Sequence, residues 1–459
     1  MTKRKQGYQI DMLNGPLAGK ILLFALPLML SSLLQLLFNA ADVVVVGRFA
    51  GKEALAAVGS NGSLINLFIN LFIGMSVGTN VVIARDLGAG KPENVRRSVH
   101  TSITLALISG LFLTVAGVAL SRQMLEIMSS PPDVIDLAAL YLRIYFLGMP
   151  GNLLYNFGAA ILRAQGDTRR PLYYLTIAGV ANVILNLIFV VPLRMSVAGV
   201  ALATIISQYI SAVLVLLALI RDDGIMHLDL KALSLDWRTV KRILRVGLPA
   251  GLQSTLFSIS NVVIQSSINS FGSSVVAGSS AAGNIEGFIY VCTNAFHQAA
   301  LTFISQNYGA GQCKRVDRTA ILCLAYGSLM SFVVGNLIYI FGAPLTSLYA
   351  PGETEVIAEA VVRFGYVAVF HFICAFMDIM VGVLRGLGHS VIPMIVSLIG
   401  SCAFRLVWIA TVFQTYTTPS CLYVSYPISW AITALAHIIF FFAIRKQTYE
   451  KANSLQAVH

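Results

Sequence analysis

ILLFALPLMLSSLLQLLFNAADVVVV, residues 21–46, is an apolar run long enough to cross a bilayer, and it carries one acid, Asp42. An ionisable side chain inside a span costs about 2.5–3.5 kcal/mol at the helix centre, which makes Asp42 a functional candidate by default. Asp42 lies six residues before Arg48, roughly 9 Å below the interface at the usual helical rise. At that depth it is fully hydrated only if a cavity reaches it. The plainer reading is an acid near the outer end of the span that meets water. Pro27 sits in the same helix, where membrane helices tolerate a kink if neighbours satisfy the freed carbonyl.

The rest of the chain repeats this pattern. Of its 459 residues, 57% are hydrophobic and only 11% charged, and the mean hydropathy is +0.79, outside the range of ordinary soluble domains. Apolar runs predict twelve spans, near 21–46, 54–83, 99–120, 134–160, 171–193, 197–220, 243–270, 280–305, 319–342, 356–382, 391–414 and 424–444. The predicted fold class is an all-α polytopic membrane protein of twelve transmembrane helices. The longest loop, from Arg221 to Arg242, is too small for a catalytic domain. The first run is too long for a cleaved signal and lacks a small-residue cleavage site, so it reads as a retained span.

The net charge of +11 suggests nucleic acid until the charges are located. Alternate loops collect 24 of the 31 Lys and Arg on one side, among them Lys3, Arg4, Lys5, Arg163, Arg385 and Lys451. The other side has four: Arg48, Lys52, Arg122 and Arg194. Arg143, Arg363 and Arg405 fall in or at the edge of spans. This bias places both termini in the cytoplasm and makes the basic charge topological, with no nucleic-acid partner. The six cysteines, all from Cys292 onward and without a CxxC pair, read as packing residues.

An internal repeat organises the chain. Leu26-Pro27 in the first span matches Leu248-Pro249 in the seventh. RDLGAGKPENVRR at 85–97 matches QNYGAGQCKRVDR at 306–318, offset by 221. Leu162-Arg163, Gly166 and Pro171 match Leu384-Arg385, Gly388 and Pro393, offset by 222. The expectation is an N-terminal lobe over 1–220, a cytoplasmic linker over 221–242 and a C-terminal lobe over 243–459. Six spans per half give both halves one orientation and a pseudo-two-fold axis along the membrane normal, an architecture of secondary transporters. The GlyAlaGly loops follow helices and lack GxxxxGK[ST], so Gly88 and Gly309 read as helix caps rather than phosphate cradles. With no nucleotide site, transport must draw on an ion gradient.

Together, the two halves, the LeuPro pairs, NAADVVVVG at 39–47 and LRAQGDT at 162–168 resemble the multidrug and toxic compound extrusion (MATE) family, in its DinF-like bacterial branch, over about residues 20–445. The resemblance implies V-shaped lobes working by alternating access in a bacterial cell membrane, exporting amphipathic, mostly cationic compounds in exchange for protons or sodium. It also implies an ion-coupling set of Asp42, Asn182 and Asn186 in the fifth span, Thr204 in the sixth and Tyr141 at the start of the fourth. The residues agree: positions four apart share a helix face, and two amides there can hydrogen-bond a protonated acid or ligate sodium through their carbonyls. The plain alternative is an interhelical amide clamp, typically worth about 0.6 kcal/mol in membranes. Asn186 is an acid in some relatives, and its absence here places the coupling burden on Asp42.

In the second half, sodium-coupled relatives carry an acid soon after the LeuPro motif. Here that region, Gln253 to Ser260, has none. Glu286 in span eight, Asp378 in span ten and Arg405 in span eleven are candidates instead, with Gln253 in span seven beside them. With Arg405 read as the only basic residue deep in a span, the expectation is one cluster of net charge −1. His297, His371 and His437 are candidates for proton relay or packing. Phe257, Phe288, Tyr290, Phe296 and Met377 suit a polyspecific cavity.

The reading is a proton-coupled antiporter, with sodium as the alternative coupling ion, without cofactor or nucleotide, expected to act as a monomer. A flippase for a lipid-linked precursor is the alternative, and requires a cavity lined by several Arg or Lys. An integral-membrane transferase requires an acid, His or Cys cluster on interfacial loops, and the sequence shows none.

Overall fold

A computed structural model describes residues 8–127 and 134–457, without the side chains at 52–53, 55–56, 59–60, 62–64, 66–67 and 451–457. Lys3, Arg4, Lys5, and the side chains of Lys52 and Lys451, which contribute to the charge bias, lie outside the described residues. Every element among the described residues is helical: α1 (Leu17–Phe49), α2 (Lys52–Gly88), α3 (Pro92–Ile127), α4 (Ile135–Leu147), α5 (Met149–Ala164), α6 (Arg169–Val190), α7 (Ser196–Ile220), α8 (Trp237–Asn269), α9 (Ser273–Gly309), α10 (Cys313–Ile340), α11 (Gly342–Ser347), α12 (Thr354–Tyr366), α13 (His371–Gly386), α14 (Val391–Ser397), α15 (Phe404–Ala410), α16 (Val412–Thr415) and α17 (Pro419–Ala457). A π-helical turn, Leu398–Ala403, joins α14 to α15.

Eight helical stretches are long and apolar enough to span by themselves. Two more spans are bent pairs, α4–α5 by 47° and α12–α13 by 52°. The remaining two of the twelve are α8 and α9, of 33 and 37 residues, which have the length but are too rich in Ser, Asn and Gln to qualify on apolarity. Polar residues on membrane helices are tolerated when they face protein, and α9 buries Glu286, Thr293, His297 and Asn307. The same inversion shows on α3, which exposes Leu111, Phe112 and Val115 and buries Ser98, Thr101 and Ser102.

The repeat is written into the backbone. Gly51 and Gly272, before α2 and α9, have φ of 89° and 95°. Gly90 and Gly311, after the same helices, have 65° and 66°, and Gly166 and Gly388 both have 92°. A left-handed φ is costly for any residue with a Cβ. The two α-helices therefore end in the same way: the Lys91 and Gln312 N–H groups donate to the Asp86 and Asn307 carbonyls at 3.0 and 2.9 Å. This corrects the cap assignment by two residues, because Gly88 and Gly309 are the last helical residues and Gly90 and Gly311 make the turn.

The chain forms two compact units. One consists of Leu30–Gly251 with the segment ending at Asp11, the other of Met12–Met29 with the segment from Leu252 onward. Spatial packing thus divides α1 and α8 near their prolines, whereas the sequence repeat assigns each helix whole to one half.

In the first unit, α2 and α8 cross through Gly74 and Gly78 on one helix and Gly247 and Gly251 on the other. A Cβ on Gly74 would stand 2.2 Å from the Gly251 nitrogen, and one on Gly78 would stand 2.2 Å from the Ile243 carbonyl. Small residues four apart let membrane helices touch backbone to backbone. Arg242 holds Asp86 of the 85–97 motif with two hydrogen bonds of 2.9 and 2.8 Å. The linker before α8 is docked: the Asp229 N–H donates to His100 Nε2 at 3.1 Å and the Asp236 N–H to Thr101 Oγ1 at 3.2 Å, with Met226 and Leu228 buried.

In the second unit, α9 and α13 form the centre. Gly382 and Gly386 of α13 face the His297 and Leu301 carbonyls, where Cβ atoms would come within 2.7 and 3.0 Å. All six cysteines are free.

Candidate functional site

The site in the first unit is built on α6. Gly179, Asn182 and Asn186 lie on one face of that helix, at i, i+3 and i+7. Phe38 and Asp42 share a face of α1, and a Cβ on Gly179 would fall 1.8 Å from the Phe38 ring. The missing side chain lets the ring seat against α6 and so fixes the register one turn on. There the Asn186 amide donates to Asp42 Oδ1 at 2.5 Å and to Asn182 Oδ1 at 3.3 Å. Asn186 is fully buried and Asn182 nearly so, while Asp42 is half-buried. The Asn186 carbonyl oxygen has no hydrogen-bond donor among the described residues.

Two tyrosines of α4 close the surroundings. Tyr141 and Tyr145 stack with ring centroids 5.9 Å apart, and both lie within electrostatic reach of Asp42. Thr204 on α7 donates to the Val200 carbonyl of its own helix at 2.9 Å, and no hydrogen bond joins it to Asp42. Of the five residues expected here, Asp42, Asn182 and Asn186 form one hydrogen-bonded chain and Tyr141 lies close to it. Thr204 is bonded elsewhere.

The second-unit candidates do not form the single cluster expected of them. Glu286 is held by Arg363, with bonds of 3.0 and 2.8 Å, and Arg363 also donates to Ser279 at 2.7 Å. Asp378 faces His297 at 3.3 Å. Arg405 lies over the Tyr426 ring at 4.2 Å and donates to Ser429 at 2.9 Å, with no carboxylate beside it among the described residues. Gln253 accepts from Arg385 Nη2 at 2.8 Å. The expectation failed because Arg405 is not the only deep basic residue: Arg385 is buried, and the Arg363 side chain is only 11% exposed. Among the histidines, His437 approaches Ser397 and the Pro393 carbonyl at 3.4 Å, and His371 packs against Trp430. Of the aromatic and Met candidates, Phe296 and Met377 are core residues, whereas Tyr290 is 53% exposed. Among the described residues no three His, Cys, Asp or Glu side chains gather as a metal site.

The family model MatE matches residues 27–188 and again 249–410, the second stretch beginning 222 residues after the first. The chain belongs to the MATE family. It is similar to "Probable multidrug resistance protein YoeA" of Bacillus subtilis (strain 168), 27% identical over 90% of this chain and 91% of that protein. It is also similar to "Probable multidrug resistance protein NorM" of Thermotoga maritima, 26% identical over 84% of each. Among solved structures, "Crystal structure of MATE in complex with MaL6" covers 97% of this chain and 100% of its own, with a TM-score of 0.90 at 23% identity, a likeness of fold.

Within this MATE fold, sequence reasoning passed over Tyr145, Arg363, Arg385 and the pairing of His297. The repeat held a usable signal for Arg385. Its counterpart Arg163 is also a last-turn residue, so the repeat places both arginines at the end of a helix rather than in a loop.

Proposed function

We propose that this MATE-family chain is a secondary antiporter of a bacterial cell membrane, with both termini cytoplasmic, that exports amphipathic, mostly cationic compounds in exchange for protons. The observation that supports it most is the contact between Asp42 and Asn186. One amide N–H donates to a carboxyl oxygen, and the same amide keeps a buried carbonyl without a donor. A protonated Asp42 supplies that donor and an ionised one does not, so the pair has two states that differ by one proton. Loss of the proton leaves a charge in a half-buried site, which favours either hydration through an open cavity or arrival of a cation. Proton uptake on one side and release on the other then drives the exchange.

Sodium is the competing ion, with Asp42 and the carbonyls of Asn182 and Asn186 as its oxygen ligands. Protons are favoured because the α8 stretch from Gln253 to Ser260 carries no acid. The flippase alternative requires a cavity lined by several Arg or Lys; Arg363, Arg385 and Arg405 are deep in the second unit, but burial alone does not make them cavity-lining. Two of these are already engaged, by Glu286 and Gln253, so the antiporter stays first.

Dye efflux from proteoliposomes tests the ion. With sodium held equal on both sides, an uncoupler is expected to abolish efflux. Efflux restored by a sodium gradient alone would assign the coupling to sodium.

A further inference from the structure

Arg405 is a charge without a counter-charge. It is 4% exposed. Its Nε donates to Ser429, its guanidinium carbon is 4.2 Å from the Tyr426 ring and 5.8 Å from Trp430, and its Nη2 has no hydrogen-bond partner among the described residues. The titratable groups it senses are Tyr426, Cys374 and Cys402, with no carboxylate among them. The acids of this interior are engaged elsewhere, Glu286 by Arg363 and Asp378 by His297. Arg363 also approaches the Tyr426 ring, at 5.9 Å. Of the two guanidiniums at that ring, Arg363 is paired with Glu286 and Arg405 has no carboxylate beside it among the described residues, so the positive charge of Arg405 stays uncompensated.

A lone cation enclosed by protein is unfavourable, and an aromatic face with one hydroxyl offsets only part of the penalty. The arrangement is also geometrically ready for an anion. The guanidinium is oriented by Tyr426 and Ser429 and keeps its Nη2 group without a partner among the described residues, and guanidinium N–H groups recognise carboxylate and phosphate oxygens. Trp430 supplies a flat apolar wall beside it. The segment leading to Arg405 contains the π-helical turn Leu398–Ala403, a departure from α geometry that recurs at functional sites.

We propose that Arg405, Tyr426, Ser429 and Trp430 form an anion-accepting subsite in the second unit, which takes the oxyanion of an aromatic carboxylate or phosphate monoester. It rests on the reading of the chain as an exporter of amphiphiles and names where the acidic group of such a compound docks. At 4% exposure of Arg405 the subsite is closed in this conformation, so binding requires its surroundings to open.

The test is fluorescence of the purified full-length protein in lipid nanodiscs, which needs no gradient and so separates failure of this inference from failure of the antiport reading. The signal of Trp430, one of three tryptophans, is isolated by subtracting that of Trp430→Phe. The probes are 2-naphthoate, 2-naphthyl phosphate and 2-naphthylmethylammonium. The expected result is saturable quenching by one or both anions and none by the ammonium compound, the stronger anion naming the preferred oxyanion. Arg405→Gln is expected to weaken anion binding about tenfold or more, the loss of one charge-assisted hydrogen bond, and Arg405→Lys to recover part of it. If Arg405→Gln does not fold, the anion-to-ammonium contrast in the wild type and the weakening in Ser429→Ala carry the test. Equal quenching by anion and ammonium compound, or undiminished anion binding in a folded Arg405→Gln, would overturn the proposal.

Discussion

Gly179 of α6 stands so close to Phe38 of α1 that its own Cβ, if present, would lie 1.8 Å from the ring edge. One turn further along α1, Asp42 meets Asn186. The glycine therefore sets the distance between the helices that carry the acid and the amides.

Gly179→Ala is expected to push the ring away and loosen the contact between Asp42 and Asn186. Overpacking of this kind costs about 1–3 kcal/mol. Efflux should fall more than thermal stability does. Adding Phe38→Ala, which vacates the space, should restore part of the efflux. An unchanged rate in the single variant would show that this packing does not hold the site.

Gly78 and Gly251 sit at a crossing where backbone meets backbone, with no flexible side chain to yield. Gly78→Leu is expected to reduce the yield of folded protein sharply and Gly78→Ala to lower the melting temperature by several degrees, as about 1–3 kcal/mol of overpacking implies. A melting temperature equal to wild type in Gly78→Leu would contradict the crossing.

Glu286 and Arg363 form a two-bond pair, so removing one partner strands the other in a buried setting, at a cost of about 3–5 kcal/mol. In double-variant cycles on thermal stability, Glu286→Gln should couple strongly with Arg363→Met and add simply with Arg405→Met. Strong coupling of Glu286 to Arg405 would restore the single cluster that the sequence suggested.

That outcome bears on what the sequence could show. The repeat was legible because matched motifs at offsets of 221 and 222 reflect matched turns, and the paired left-handed glycines are their physical content. Asp42, Asn182 and Asn186 were legible because an acid in a span needs polar company, and spacing by four places two amides on one face. Arg363 was not, because it lies one turn before the 52° bend between α12 and α13, and hydropathy places the edge of a span without showing where a bent helix turns inward. Arg385 reads as a loop charge in the sequence because it borders a turn, although its last-turn position in α13 buries it. The polar character of α8 and α9 did not hide them, since their length and flanking turns suffice. The division of α1 and α8 between the two compact units left no mark in composition.

Asp236 precedes α8, and the Thr239 hydroxyl and backbone N–H both donate to its carboxylate, at 2.6 and 3.0 Å. These bonds, the hydroxyl above all, hold the Asp236 carboxyl below its ordinary value. A depressed folded pKa contributes stability that is present above the unfolded value of about 3.9 and is lost as pH falls through the folded one. Hydrogen-exchange protection at the start of α8 is therefore expected to drop below about pH 4. Thr239→Val should move the drop to higher pH and Asp236→Asn should remove it. Protection independent of pH in the wild type would contradict the cap.

The most direct measurement is gradient-driven dye efflux by Asp42→Asn reconstituted at wild-type density in proteoliposomes. An amide replaces the carboxyl at nearly the same size, cannot ionise, and like the protonated acid offers one acceptor and one donor group. The expected result is a protein that folds and inserts normally, keeps its melting temperature within a few degrees, and shows no efflux above protein-free vesicles under an imposed pH gradient. Wild-type efflux from Asp42→Asn under that gradient would contradict the account.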